Sequence, residues 1–223
     1  RISIRVHEGP KFTVGKVGIQ GDSVVPDDKL LPRLQLKQGD VFNYAHVQTD
    51  AQMLAGEQKE HGYAFATVSN ESVPQAKERT VDWTYHVQKG KKVYFGRILM
   101  VGAQSTRDKV IRRELAFHEG ELYSERDIKR SQARVQRLGF FEKVEIKTRP
   151  TANPQVVDAL VEVVERTTGT FQVGAGFSSA DNFITTAQIS KDNFLGRGQR
   201  LSLQASLSAI RTMFQGSFYE PYF

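Results

Sequence analysis

The 223-residue chain offers few side chains arranged for chemistry. Its five histidines, His7, His46, His61, His86 and His118, lack the spacing of metal ligands. With no cysteine, thiolate metal sites, a disulfide framework and a thiol nucleophile are excluded. Gly-x-Gly occurs at Gly174/Gly176 and Gly196/Gly198, without the strand-to-helix setting that a phosphate-cradling loop needs. Asn70-Glu71-Ser72 has the form of a glycosylation acceptor, a common chance match. No Ser/His/Asp order stands out, and a lone serine in a strand is a poor nucleophile. The expectation is a protein that is not an enzyme and uses no metal and no cofactor. No side chain here reads as a chemical site.

Composition sets the frame. An apolar share of 39% and a charged share of 25% are ordinary for a globular protein. No run approaches the ~20 apolar residues of a membrane-crossing helix. The first residues carry no signal-peptide pattern, and the chain opens inside strand-like sequence; an excerpt of a longer polypeptide is expected. The formal charge of +6 is uneven: residues 91–149 hold 15 Lys and Arg against 8 Asp and Glu. Such an excess attracts nucleic acid, anionic headgroups or an acidic protein, and charge alone does not choose among them.

The strongest internal signal is a repeat of about eighty residues. Gly9-Pro10-Lys11-Phe12-Thr13-Val14-Gly15-Lys16-Val17 recurs as Gly90-Lys91-Lys92-Val93-Tyr94-Phe95-Gly96-Arg97-Ile98, and the same offset of 81 pairs Gly21 with Gly102 and Gly39 with Gly120. Farther along the offset shrinks, pairing Gly62 with Gly139 and Val81-Asp82-Trp83 with Val157-Asp158-Ala159, as loop deletions would cause. Each copy reads as strand, helix, helix, strand, strand. Gly96 suggests a bulge in the first strand of the second copy. Capping boxes at Ser105-x-x-Asp108 and Ser124-x-x-Asp127 are expected to open its helices, and Gly139 to close the second. In the first copy Asp27 or Asp28 is the expected cap, Pro32 cuts the short helix, and Val47, Ala51 and Leu54 line the long one. Ile2, Ile4 and Val6 match Trp83, Tyr85 and Val87, which makes residues 1–8 the last strand of a preceding copy. The modules then span 9–90 and 91–166.

After Arg166 the texture changes. Phe171, Val173, Ala175 and Phe177 alternate with small or polar residues, as do Leu201, Leu203, Ala205, Leu207 and Ala209. Turns are expected at 180–182, at 193–200 and near Arg211. Four strands of roughly 9–11 residues over 167–223 carry the two-residue period of a transmembrane β-barrel, incomplete because barrels need ~8 strands or more. A soluble antiparallel sheet also alternates. The fold class is therefore α+β: tandem βααββ modules, then antiparallel strands.

Five stretches carry a family resemblance: Val110-Ile111-Arg112-Arg113-Glu114-Leu115, Arg137-Leu138-Gly139-Phe140-Phe141-Glu142, Val163-Val164-Glu165-Arg166-Thr167-Thr168-Gly169, Asp192-Asn193-Phe194-Leu195-Gly196-Arg197-Gly198 and Glu220-Pro221-Tyr222-Phe223. In this order they resemble the BamA superfamily of outer-membrane insertases, with POTRA modules ahead of a barrel. A third module favours the BamA type over two-partner-secretion transporters, which usually have two. The resemblance implies a Gram-negative outer-membrane protein whose modules lie in the periplasm. It implies that unfolded outer-membrane proteins are received there and helped to fold and insert. Accessory lipoproteins and outer-membrane lipid are the further implied partners; no nucleic acid is expected.

Four sets of residues follow. A POTRA edge takes an extended peptide by β-augmentation; residues 66–72, among them Ala66, Thr67, Val68 and Ser69, and 144–148, with Val144, Glu145, Ile146 and Lys147, are the expected edges. Capping of these edges by neighbouring loops is the alternative. Gly169, Phe171, Val173, Gly174, Gly176 and Phe177 would form the gate strand of the barrel, its glycines weakening a seam or else relieving crowding. Glu119 and Gly120 match a lipoprotein-docking position, or form a solvated turn. The cations Arg112, Arg113, Arg126, Lys129, Arg130, Arg134 and Arg137 face headgroups, an acidic partner or solvent. A nucleic-acid-binding module is the reading from another class; it wants a GxxG loop between the helices, and neither 35–44 nor 116–124 contains one.

Overall fold

The computed structural model describes residues 10–179 and 182–222. The strand expected over 1–8 therefore lies outside the described residues, as do two positions of the turn expected at 180–182. The first module begins with β1 (Thr13–Gly21), followed by α1 (Asp27–Leu30), a 3-10 turn (Leu31–Arg33), α2 (Tyr44–Glu60), β2 (Thr67–Gln75) and β3 (Thr80–Gln88). Its sheet runs β1-β3-β2, with β3 parallel to β1 and antiparallel to β2. The alternation of Trp83, Tyr85 and Val87 puts these side chains in the core beside Val14, Leu30, Val47 and Leu54. The second module repeats the order as β4 (Tyr94–Val101), α3 (Asp108–Arg112), α4 (Glu125–Arg137), β5 (Phe141–Pro150) and β6 (Val156–Glu165), in a sheet ordered β4-β6-β5. Its core holds Val157, Ala159, Val161 and Val163 from β6, and stacked Phe95 and Phe117 rings 4.2 Å apart.

The repeat is also a repeat of polar fittings. Asp82 accepts a hydrogen bond from the Lys16 amide (2.6 Å) where β1 bulges between Val14 and Val17; its counterpart Asp158 accepts from the Arg97 amide (2.8 Å). Gly21 and Gly102 have φ of +109° and +89°, and a Cβ on either would lie about 2 Å from the carbonyl oxygen of Val87 or Val163. Both glycines are required by the same close approach of the first strand to the last. Inside the modules, Asp50 of α2 is buried and accepts from the Gln35 amide (2.7 Å), the Leu36 amide (2.9 Å) and the Tyr85 hydroxyl (3.2 Å). Burial and the neighbouring Asp50 carboxylate push the Tyr85 hydroxyl's pKa up. The residue 81 positions on, Ser131 of α4, is likewise buried and accepts from the Ala116 amide (2.8 Å).

The starts of α1 and α3 differ from expectation. α3 begins at Asp108 behind an extended Arg107, without a side-chain cap. Ser105 lies two residues ahead of that cap position, its amide and that of Thr106 bound by the Glu165 carboxylate, and Asp108 pairs with Arg112 one turn on. α1 has Pro26 at its cap position; Asp27 and Asp28 occupy its first turn, where negative charge suits the helix dipole. Asn43, not singled out in the sequence, caps α2 by accepting from the Ala45 amide. Ser124 lies buried just ahead of α4, and Gly139 follows that helix with φ +74°.

After the link 166–168 come β7 (Gly169–Ser178), β8 (Asn182–Phe194), β9 (Gln199–Ser208) and β10 (Thr212–Tyr219), an antiparallel sheet in the order β10-β9-β8-β7. β8 is longer than expected and β10 shorter. Register sorts the side chains cleanly. Phe171, Ile189 and Leu203 share one row, and Val173, Ala187, Ala205 and Phe214 the next, all on one face. Gln172, Gln188, Gln204 and Gln215 form a row on the other face, next to Thr170, Ser190, Ser202 and Ser217. The apolar face is exposed, with Phe171, Phe177 and Phe214 each more than 70% accessible. An exposed apolar face of this extent marks contact with lipid or a partner. A ten-residue strand is about 33 Å long, enough when tilted to cross an apolar band of ~25 Å.

Candidate functional site

Among the described residues, each sheet ends in an edge with no further strand paired to it. β2 is the outer strand of the first module, and it begins at Thr67. Ala66 lies ahead of it, buried, its amide donated to the Tyr63 carbonyl (3.0 Å). Thr67 and Ser69 are exposed on this edge, while Val68 packs against the core. Pro74 sits in the same strand, as an edge permits. β5 is the outer strand of the second module, longer than the expected 144–148. Its Val144 and Ile146 are buried, whereas Glu145 and Lys147 face outward in a chain of ion pairs from Lys143 to Glu162. The Lys143 and Lys147 ammonium groups hold the Glu145 carboxyl below its usual range. Charge along an edge discourages strand addition, so β2 is the more open of the two.

Glu119 lies in the turn between α3 and α4 and accepts from the Ile98 amide (3.0 Å) and from Arg112 (3.5 Å), with its side chain about half exposed. It braces the turn against β4 while still presenting a face to solvent. Gly120 beside it has φ +86° and open space around its Cα. The glycines expected at the gate all lie on β7, an outer strand. There a Cβ at Gly176 would meet nothing within 4 Å, and one at Gly174 would touch the Thr186 hydroxyl at 3.0 Å. Among the described residues no group of three or more His, Asp and Glu is placed to hold a metal ion. No described helix is long and apolar enough to cross a membrane.

Sequence reasoning missed how the second module meets the strands. Residues of the five stretches quoted above come together there. Glu165 accepts from the Thr106 amide (2.7 Å) and the Ser105 amide (3.0 Å). Burial pushes its carboxyl up, but these hydrogen bonds outweigh that and hold it below the usual range. Asn193, buried near the end of β8 with φ +53°, donates to the Thr106 hydroxyl (2.8 Å) and accepts from the Gly198 amide (2.8 Å). The Arg107 amide donates to the Gly196 carbonyl (3.0 Å), and a Cβ on Gly196 would lie 1.9 Å from the Ser105 carbonyl oxygen. The Arg113 guanidinium stacks on the Tyr222 ring, its carbon 3.6 Å from the centroid, and the Tyr222 hydroxyl donates to Glu114. Thr168 and Asp192 exchange two hydrogen bonds across the start of β7 and the end of β8. Gly196 is thus explained by backbone approach, and Gly198 by its φ of +80° and the Arg113 side chain packed on it, so their Gly-x-Gly spacing is structural and not a phosphate loop.

Comparison with known proteins agrees with this geometry. Residues 12–90 and 93–166 each match the POTRA family, described as a surface antigen variable number repeat. The chain is 34% identical over 99% of its length to the outer membrane protein assembly factor BamA of Nitratidesulfovibrio vulgaris, and 35% identical over its whole length to that of Neisseria meningitidis. It spans about 28% of the length of each. Among solved structures, BamA from Haemophilus ducreyi lacking POTRA domains 1–3 superposes with a TM-score of 0.81 at 29% identity, covering 95% of this chain and 40% of that one. POTRA3–5 of Haemophilus influenzae BamA gives 0.65 at 25% identity, covering 71% of this chain and 63% of that one. The chain belongs to the POTRA family, two of whose modules it carries ahead of a sheet similar to the one that follows them in BamA.

Proposed function

We infer that this chain is the membrane-proximal part of an outer-membrane protein assembly factor. Its modules stand in the periplasm and its four strands begin the barrel. Unfolded outer-membrane proteins pair as extended segments with β2, and a client strand adds to β7. The observation that carries this reading is the four-stranded sheet with one apolar face exposed, one polar face, and a glycine-containing outer strand, tied directly to a POTRA module. Backbone pairing at an open edge tolerates many sequences, which suits a machine with varied clients. A lipoprotein partner docks at the turn of Glu119 and Gly120, where the Glu119 carboxylate is braced yet half exposed.

NMR titration of the isotope-labelled chain in zwitterionic micelles tests the reading. A peptide from an outer-membrane-protein strand is expected to shift amides of β2 and of β7 and to leave the charged β5 edge little changed. A scrambled peptide of the same composition should act much more weakly. Equal response to both peptides, or a response only to a short RNA along 112–137, would overturn it.

A further inference from the structure

We propose that the second module and the β8–β9 turn together form a binding site for an anionic phosphate group, in its membrane setting that of a phospholipid headgroup. A cavity of about 340 Å³ opens between them. Four cations line it, Arg107, Lys109 and Arg113 from the module and Arg197 from the turn, against the single carboxylate of Glu220. Arg107, Lys109 and Arg197 make no ion pair and no side-chain hydrogen bond with any described residue, whereas other cations of the module, such as Arg112 and Lys147, are paired with carboxylates.

Arg113 sets the geometry. Its guanidinium lies flat on Tyr222 on one side and closely approaches Gly198, where an added Cβ would fall 2.5 Å from Nη2. So held, its Nε and Nη2 are buried without a hydrogen-bond acceptor among the described residues, and the nearest carboxylate oxygen, on Glu114, is 3.9 Å from Nε. A guanidinium fixed beside the cavity that it lines recognises phosphate oxygens at little further cost in side-chain entropy. Glu220 is bound by Gln199 and the Tyr222 amide. That fixes it at one side, so the cations set the sign of the cavity.

Position supplies the ligand's class. The cavity sits at the module end of the sheet, where the exposed apolar face of β7–β10 stops and aromatic Tyr219 and Tyr222 begin. In a membrane-spanning sheet that is headgroup level. The headgroup source thus rests on the reading of the sheet as membrane-spanning; the phosphate chemistry does not.

The test is NMR of the arginine Nε–Hε groups in the whole chain, folded in zwitterionic micelles. It is titrated separately with inorganic phosphate, short-chain phosphatidylglycerol, short-chain phosphatidylcholine and a short RNA. Phosphatidylglycerol should shift the Arg113 signal saturably, with phosphatidylcholine weaker. A matching response to inorganic phosphate identifies a general phosphate site, and its absence a headgroup site. Lys109→Gln and Arg197→Gln, both exposed, should each weaken binding about fivefold, while the exposed Lys37→Gln should not. An Arg113 signal unmoved by both phosphate and phosphatidylglycerol, an affinity indifferent to both variants, or saturation by RNA alone would overturn the proposal. Failure of the sheet to require micelles would instead sink the membrane reading, leaving the phosphate titration to stand by itself.

Discussion

The two modules share a backbone plan and differ in where they place their polar groups. The first encloses a carboxylate: Asp50 fastens the segment at Gln35 and Leu36 to α2 and to Tyr85 of β3. The second has a hydroxyl at the same place, Ser131, opposite an apolar Val161. Its charged and amide groups work instead at its surface, where Glu165 and Thr106 tie it to Asn193 and the strands. The lesson is that one fold can be specified from within or through its neighbour. Contacts agree with this division: one compact unit holds the first module with residues 120–126 and 153–156, and the other joins most of the second module to the strands.

Asp50→Ala should do the most damage, because it strands two amides and a hydroxyl in the core; a loss of about 3 kcal/mol is expected. Ser131→Ala should cost about 1 kcal/mol. The only tryptophan, Trp83, lies in the first core against Phe42, so its fluorescence during urea unfolding reads the Asp50 variant, and hydrogen exchange at β6 amides under urea reads the Ser131 variant. Equal losses from the two variants would break the contrast. Asn193→Ala comes next: it removes the bonds to Thr106 and Gly198, at about 2 kcal/mol. Hydrogen exchange should quicken at residues 106–107 and 196–198 and leave residues 13–88 unchanged. Spread of the effect into residues 13–88 would break the division.

The smallest expected effect is acid sensitivity at Glu165. Its carboxyl titrates lower folded than unfolded, so its stabilisation is complete above the unfolded value of about 4.3 and is lost as pH falls through the folded value. Glu165→Gln should cost about 1 kcal/mol at neutral pH and flatten the low-pH limb of stability measured on the second unit. An unchanged limb would assign the acid response elsewhere.

Much of this was legible beforehand. Offset glycines such as Gly21 and Gly102 mark the repeat because each answers the same backbone collision, and strand alternation put Trp83, Tyr85 and Val87 inside. Asp50 was also within reach: it interrupts an apolar stripe between Val47 and Leu54, and the offset of 81 leads to another small polar residue, Ser131. The start of α3 was not legible because the Ser105 and Thr106 amides meet the distant carboxylate of Glu165, and α1 opens behind Pro26 with no side-chain cap. The junction was the least visible. Glu165, Asn193, Arg113 and Tyr222 are far apart along the chain, and no periodicity links residues whose meeting depends on the finished fold.

The link 166–168 has a mechanical meaning. Three residues span at most about 10 Å, and Thr168 is already fastened to Asp192 while the Arg166 amide is held by Phe140. Such a tether has almost no slack. A twist applied to β6 by whatever grips the module arrives at Gly169 as torque on β7, making the module a lever whose short arm is the first strand of the sheet.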